Sequence, residues 1–316
     1  MMERATGVEP ASEAWEASVL PMNYARASLR DGPSLAEFQA RLASRDTAGH
    51  GETPMLAGMN ILGIDVGGSG IKGAPVDLTL GDFAEARVRI PTPAKSSPKN
   101  VAAVVAEIVE NFKEQIPADS RIGLTVPAPV VHGRVPFMAN LHKSWAGFEA
   151  SRFFEDHLGR PVTLVNDADA AGLAEVHYGA ARGNDGLVIM TTLGTGIGSA
   201  IIHRGVLIPN AELGHVELDG FDAETRAASS IKEKEKLSYK AWAVRLQRYY
   251  SHIEMLFSPD LFVVGGGVSK DSEKFLPLLQ LHTPIVPAKM RNRAGIIGAA
   301  LAAQDADLHP DPSQAG

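Results

Sequence analysis

Two glycine-rich corners and one acid at a strand end carry the residue types that could handle a phosphate chain. An apolar run from Ile61 ends on Asp65 and turns through Gly67, Gly68, Ser69 and Gly70 toward Lys72. At an offset of 126 positions, Gly68-Ser69-Gly70-Ile71 returns as Gly194-Thr195-Gly196-Ile197 and Ala74 returns as Ala200, with Thr191 in place of Asp65. Glycines in such corners let backbone N–H groups approach an anion with no Cβ in the way, and the Ser or Thr adds a hydroxyl donor. Either copy alone reads equally as a tight hairpin with no ligand. Finding both points to an internally duplicated fold that holds a phosphate chain between its halves.

Two commoner glycine motifs are excluded by the residues on the far side of the first corner. Gly68-Ser69-Gly70-Ile71-Lys72-Gly73 fits G-x-G-x-x-G, but a dinucleotide fingerprint opens a helix, and Ala74-Pro75-Val76-Asp77 reads as a returning strand. A P-loop needs Gly-Lys-Ser/Thr at its end, and here Gly73 follows Lys72.

The elements that position these residues alternate between strand and helix. After the first corner and its returning strand, Phe83 to Ile90 reads as a third strand. Ser97-Pro98 then starts a helix carrying Val101, Val104, Val105, Ile108, Val109 and Phe112 at helical spacing. Arg121 to Val126 reads as a strand, and His132 to Trp145 as a loop of the kind that carries sites. Glu149 to Leu158 reads as a helix stopped by Gly159. Val162 to Val165 reads as a buried strand emptying into Asn166-Asp167, with a helix from Ala168. An acid at that junction faces the cleft of an open α/β sheet, although Asp167 is equally placed to cap the helix.

A second half repeats the plan: strand Leu187 to Thr192, the second corner, strand Ser199 to His203 and an insertion around Glu212 to Glu224. Helix Leu237 to Phe257 follows, then strand Leu261 to Val264 running into Gly265-Gly266-Gly267. A small-residue helix from Ile296 to Gln304 closes the fold, and a polar, fraying tail begins at Asp305. The alternation, given twice, predicts an α/β fold with mixed sheets. Residues 1–58 carry only a short apolar stripe at Leu35, Phe38 and Leu42, and read as a largely disordered extension. The expected organisation is a small lobe from 59–166 plus 293–305, a large lobe from 167–292 and a polar tail from 306–316.

At 316 residues and 45% hydrophobic content the chain can bury a sizeable core. No apolar run reaches the roughly 18 residues a membrane helix needs. With no cysteine there are no disulfides, thiolate chemistry or cysteine-held zinc, which fits a cytoplasmic protein. A formal net charge of −7 argues against nucleic-acid binding. Within it, residues 226–248 are locally +5 through Arg226, Lys232, Lys234, Lys236, Lys240, Arg245 and Arg248 against Glu233 and Glu235. Each of these cations reads as part of a solvated helix face, and as a group they could steer a polyanion.

The two corners, the glycine turn at Gly265-Gly266-Gly267 and the acid at a strand end resemble the sugar-kinase/actin-like superfamily. Within it, Asp65-Val66-Gly67-Gly68, Leu164-Val165-Asn166-Asp167-Ala168 and Glu212-Leu213-Gly214-His215 resemble the ROK family of sugar kinases, over residues 60–304. That resemblance implies a duplicated actin-like/hexokinase-like (ribonuclease H-like) two-lobed fold with mixed sheets and an interlobe cleft. It implies Asp167 as general base, and sugar contacts from Asn140, Asp167, Glu212, His215 and Glu224, with Glu217 as the substitute for Glu224. Asp65, Gly67, Gly68, Ser69, Gly70, Lys72, Thr192, Gly194, Thr195, Gly196, Gly265, Gly266 and Gly267 would hold the donor, with Mg²⁺ organised by Asp65 through water. The family commonly carries a cysteine zinc site after its Gly-His pair; this chain has no cysteine there, so no zinc is expected. The stretch from Glu217 to Arg226, with Met255 to Pro259, resembles instead the zinc-free branch of polyphosphate glucokinases and polyphosphate/ATP glucomannokinases.

The implied activity is phosphoryl transfer from inorganic polyphosphate, with ATP as a second donor, to the 6-hydroxyl of glucose, with mannose as a further acceptor, by a homodimer. An ATP-only hexose kinase would use the same residues. A non-catalytic sugar sensor would need a DNA-reading segment that residues 1–58 do not supply, and an actin-like ATPase scaffold leaves Asn140, Glu212 and His215 without a purpose.

Overall fold

A computed structural model describes residues 60–308. The expected extension over 1–58 and the end of the tail, 309–316, lie outside the described residues. Two mixed sheets are built on one plan. In the first, β1 (Ile61–Val66) pairs antiparallel with β2 (Ile71–Asp77) and parallel with the strand Ile122–Val126, which pairs parallel with Val162–Asn166. Short strands β3 (Asp82–Phe83) and β4 (Val88–Ile90) both pair with β2, so the single strand expected over Phe83 to Ile90 is two. Following chain order, Ile122–Val126 is β5, the hairpin Arg134–Val135 with Phe148–Glu149 is β6 and β7, and Val162–Asn166 is β8. The second sheet runs β11 (Val206–Ile208), β10 (Ile197–His203), β9 (Leu187–Leu193), β14 (Leu261–Gly265) and β15 (Ile285–Pro287), with β12 (Glu217–Leu218) and β13 (Phe221–Asp222) as a small hairpin outside it.

Register shows how the duplication differs between its halves. The first corner has four residues between the closing pair Val66 and Ile71, and the second has three between Leu193 and Ile197. The offset of 126 therefore holds only on the returning strands. On the leading strands the extra Gly67 moves the match by one, so Asp65 corresponds to Thr192 and not to Thr191. Thr191 is instead fully buried, with its hydroxyl 2.6 Å from that of Tyr250.

Helices α1 (Pro98–Asn111) and α2 (Ala150–Leu158) cover one face of the first sheet, with Val101, Val105, Ile108 and Phe154 packing on Leu62, Ile64 and Leu124. Gly159 ends α2 in the left-handed conformation, as its position in the sequence predicts. Two short helices, α4 (Glu224–Ala227) and α5 (Ser229–Lys234), and the long α6 (Tyr239–Phe257) lie on the second sheet, where Trp242, Tyr249 and Tyr250 pack on Phe262 and Val264.

Between the sheets lie α3 (Asp167–Tyr178) and α7 (Ala294–Leu308). Their apolar residues are spread around the whole circumference, as suits helices buried on every side. Alanine and glycine at the crossings permit the close approach. A Cβ at Gly298 would overlap the Ala170 carbonyl, and one at Gly123 of β5 would overlap that of Ala299. The closing helix runs past the expected Gln304 to Leu308, and Asp307 ion-pairs with Arg121 at 2.6 Å. Gly298→Ala, which forces a methyl into that backbone contact, should cost about 1–3 kcal/mol of stability by overpacking; a urea midpoint equal to that of the parent protein would show that α3 and α7 separate freely.

Candidate active site

The end of β8 lies near residues of both halves of the fold, for Asp167 feels the charges of Asp65, at the end of β1, and of Glu212. At the end of β8, Asn166 and not Asp167 caps α3: its Oδ1 accepts from the amides of Ala168 at 2.8 Å and Asp169 at 3.2 Å. The helix thus starts one residue before the expected Ala168, and the Asp167 carboxyl is not used as the cap. Asp167 presents exposed surface, but into a concavity crowded with protein atoms. That crowding, more than lost surface, desolvates the carboxyl, and with the charges of Asp65 and Glu212 it pushes Asp167 up to about 7.

Asp65 stands at the end of β1 in register with Lys72 of β2 and Thr125 of β5. Its Oδ2 takes the Lys72 ammonium at 3.1 Å and its Oδ1 the Thr125 hydroxyl at 3.1 Å. Lys72, expected to hold the donor in the phosphate cradle, is ion-paired with Asp65. Each Asp65 oxygen keeps one unused lone pair. A lone carboxylate of this kind fits an ion that keeps most of its own waters, as Mg²⁺ does.

The corners are held from outside. In the first, the Gly67 amide donates to the Gly70 carbonyl at 3.1 Å, and the Arg89 guanidinium donates to the Ser69 carbonyl at 3.0 Å. Asn140, exposed on its loop, brings its carbonyl oxygen 3.5 Å from where a Gly68 Cβ would stand. In the second, the Gly194 amide donates to Gly196 at 3.0 Å, while the Ser229 and Ser230 hydroxyls donate to the carbonyls of Gly194 at 3.0 Å and Thr195 at 2.6 Å. Thr192 lies against Gly198 and the start of α3. Gly265 ends β14 beside Thr192, and Gly266, at φ 83°, turns the chain against the Leu193 backbone. Gly265 to Gly267 thus belong to the second corner's side, and among the described residues nothing joins them to the first.

Glu212, His215 and Glu224 come together at the second corner. Burial raises the Glu212 carboxyl, the charge of His215 lowers it and Glu224 raises it further. His215 Nδ1 lies 2.8 Å from Asp222 Oδ2, and this bond holds the imidazole above its ordinary value. Glu224 Oε2 accepts the Ile197 amide at 3.0 Å, which fixes the carboxylate under Gly196. His215, Asp222 and Glu224 bring ligand-type atoms within 4.8 Å of one another, with the His215–Asp222 pair already bonded. Glu217, the substitute for Glu224, is exposed on β12.

Three contributors have no motif of their own. Asp169 is buried in the first turn of α3; burial pushes it up to about 7, against the Asn210 amide, which donates to its Oδ2 at 2.8 Å. The Asn210 side chain bonds both the N–H and the carbonyl of Val130, at 2.8 and 2.9 Å, tying the loop after β5 to the turn after β11. The signal for Asn210 is an asparagine after Pro209, a residue type that tolerates its φ of 61°. Arg89 carries no signal beyond its charge.

The chain matches the profile of the ROK family over residues 61–229. It is 51% identical over 241 residues to the polyphosphate glucokinase of Mycobacterium tuberculosis (strain ATCC 25618 / H37Rv), covering 76% of this chain and 89% of that one. The chain belongs to the ROK family. Among solved structures, it resembles the inorganic polyphosphate/ATP-glucomannokinase of Arthrobacter sp. strain KM, at 51% identity and a TM-score of 0.74 over 78% of this chain and 98% of that one. It resembles the ROK hexokinase of Thermus thermophilus at 27% identity and a TM-score of 0.65, over 78% and 98%. The mixed sheets are accordingly those of the actin-like/hexokinase-like fold.

The raised Asp167 links pH to stability with a definite sign. A carboxyl whose folded value lies above its unfolded one favours the folded state most below about 4, and that contribution is lost as pH rises through about 7. Asp167→Asn removes the charge, so its melting temperature should gain on the parent's as pH rises from 5 to 8. A gap that stays constant over that range would mean that Asp167 ionises in the native state as freely as in water.

Proposed function

We propose that this chain is a glucokinase that transfers a phosphoryl group from inorganic polyphosphate, and also from ATP, to the 6-hydroxyl of glucose. The observation that carries the reading is the carboxyl of Asp167, at the end of β8 and raised in basicity by burial and by the charges of Asp65 and Glu212, in a chain half identical to enzymes named for this reaction. An ATP-only hexose kinase would share the site; identity to enzymes named for polyphosphate favours the first reading.

Phosphoryl transfer asks mainly for alignment and for neutralised charge. In our reading, Asn140, Glu212, His215 and Glu224 bind the sugar hydroxyls and orient the 6-hydroxyl toward Asp167. Asp167 takes the hydroxyl proton as the oxygen attacks the terminal phosphorus, and the bond from that phosphorus to the next bridging oxygen breaks. A carboxylate near 7 is matched to this task, being ionised in useful fraction and still basic. Backbone amides of Gly68 to Gly70 and of Thr195 and Gly196, with the hydroxyls of Ser69, Thr192 and Thr195, receive the donor phosphates, while the amides of Gly67 and Gly194 close the two corners. Gly265 to Gly267 lie on the side of the adenosine or of the chain's exit. Mg²⁺, when bound, spreads the charge of the donor's oxygens, and Asp65 would hold it through water. Lys72 would hold the Asp65 carboxylate in place through their ion pair. Mannose as a second acceptor, a homodimeric assembly, a cytoplasmic setting, absence of zinc and the division into lobes at 166/167 and 292/293 belong to the same reading. No helix among the described residues is long and apolar enough to cross a membrane.

Incubation with glucose and Mg²⁺, offering polyphosphate or ATP separately, should give glucose 6-phosphate with both donors. Product from ATP alone would move the assignment to the ATP-only kinase. Asp167→Asn should lower kcat by roughly 10²-fold or more, as loss of a general base does, with glucose affinity largely kept. For the parent enzyme, kcat/KM for glucose should climb with pH along a limb centred near 7. Near-normal turnover in Asp167→Asn would remove Asp167 from proton transfer.

A further inference from the structure

A long polyanion whose end sits between the corners must leave the cleft over cations. The segment 226–248 is the obvious track by charge count, but most of its cations are engaged. The Arg245 guanidinium pairs with Glu235 at 2.6 Å and also donates to the Arg226 carbonyl. Arg248 pairs with Asp219 at 2.8 Å, the Lys232 ammonium sits 4.1 Å from the centre of the Tyr239 ring, and the Arg226 guanidinium sits 3.8 Å from that of Phe221. Lys234, Lys236 and Lys240 are left exposed on helix and turn.

The β4 side of the first sheet differs. Arg89 of β4 pairs in register with Lys72 of β2, which pairs with Asp65 of β1. Side chains at paired positions share a face of the sheet, and for this row it is the face that carries α7, since Gly295 packs against Asp65. The Arg89 guanidinium lies flat on Gly70, where a Cβ would come within 2.8–2.9 Å of its Nε, Cζ and Nη2. Its Nη2 bond to the Ser69 carbonyl holds the charge at the corner itself. Arg87, immediately before β4, donates to the Asn292 carbonyl at 3.4 Å, next to the exposed Arg291. Among the described residues no carboxylate lies within ion-pair distance of Arg87, Arg89 or Arg291, whereas the neighbouring Arg293 is taken by Asp82. These three guanidiniums keep their full charge and their planar forks, which suit phosphate oxygens better than an ammonium does.

We propose that the polyphosphate chain leaves the first glycine corner across Arg89 and runs along the β4 edge over Arg87 to Arg291, rather than along residues 226–248. The inference rests on the reading of polyphosphate as donor. ATP places an adenosine after its third phosphate and gains nothing from the outer two arginines. The track therefore acts on affinity for long chains and leaves the chemical step to Asp167.

The double variant Arg87→Gln/Arg291→Gln removes two exposed charges and no core contact, and its melting curve checks that it folds. Its KM for long-chain polyphosphate should rise about three- to tenfold at low salt, with kcat kept, while the KM values for tripolyphosphate and for ATP move by less than about twofold. The matched variant Lys234→Gln/Lys240→Gln should shift the long-chain KM by less than about twofold. The reverse ranking of the two variants overturns the path, as does an equal rise for long chains, tripolyphosphate and ATP, which would make the arginines supports of the corner. Parent protein that makes no sugar phosphate from polyphosphate removes the donor reading and the path with it. Parent protein active on polyphosphate, with the Arg87/Arg291 variant unchanged, removes the path alone.

Discussion

Asp65, Asp167, Asp169 and Glu212 gather four carboxyl groups around the start of α3, where two of them are pushed up to about 7 and a third is raised as well. Like charges in a partly desolvated site repel, so each must be given a partner or allowed to hold a proton. The surrounding fold supplies both. Lys72 and Thr125 hold Asp65 from adjacent strands, the Asn210 amide meets Asp169, and the charge of His215 moderates Glu212. Asp167 and Asp169 are both left near 7, and of the two Asp167 is the one with exposed surface. A carboxyl in that condition is unfavourable to keep and useful as a base, a combination typical of functional sites.

Holding these groups in place falls to the layer between the sheets. Because α3 and α7 approach through glycine and alanine, both sheets and both helices are locked to one another at backbone distance, and small shifts of α3 are blocked. Glu175, buried at the far end of α3, accepts the amides of Ala180, Lys289 and Met290, so the chain entering α7 is pinned to α3 as well. Asp167 at one end of α3 and Gly295 of α7 beside Asp65 are therefore placed by the same packing. The Asn210–Val130 bonds add a polar tie between the loop after β5 and the turn after β11.

Much of this is legible in the residues because it is periodic or local. Helical spacing locates α1 and α6, Gly159 marks the end of α2, and the repeated glycine corners expose the duplication. What escapes depends on partners distant in sequence. Nothing near Lys72 announces that Asp65, seven residues back, takes its charge, since that follows from hairpin register. The pairing of Asp65 with Thr191 fails for the same reason: one extra glycine in the first corner shifts the leading strand and leaves the returning strand in phase. Asn166 and Asp167 are both good capping residues, and only the backbone turn selects the former. Arg89 and Asn210 act on residues 20 and 80 positions away, beyond any local pattern.

The one-residue difference between the corners also bears on how a duplicated cleft becomes directional. The first corner carries an acid, a lysine paired with it and an arginine laid on the turn, all in one cross-strand row. At the equivalent places the second has Thr192 and Gly198, and its turn is held by serine hydroxyls and by Glu224 beneath it. Two acids facing one phosphate chain would repel it from both sides. Replacing one by a threonine hydroxyl removes that repulsion and leaves a donor in its place. The first corner is backed by the Arg89 guanidinium, and the second by Glu212, His215 and Glu224. Charge thus distinguishes the two corners, and Asp167 lies near enough to both sides to feel the charges of Asp65 and of Glu212.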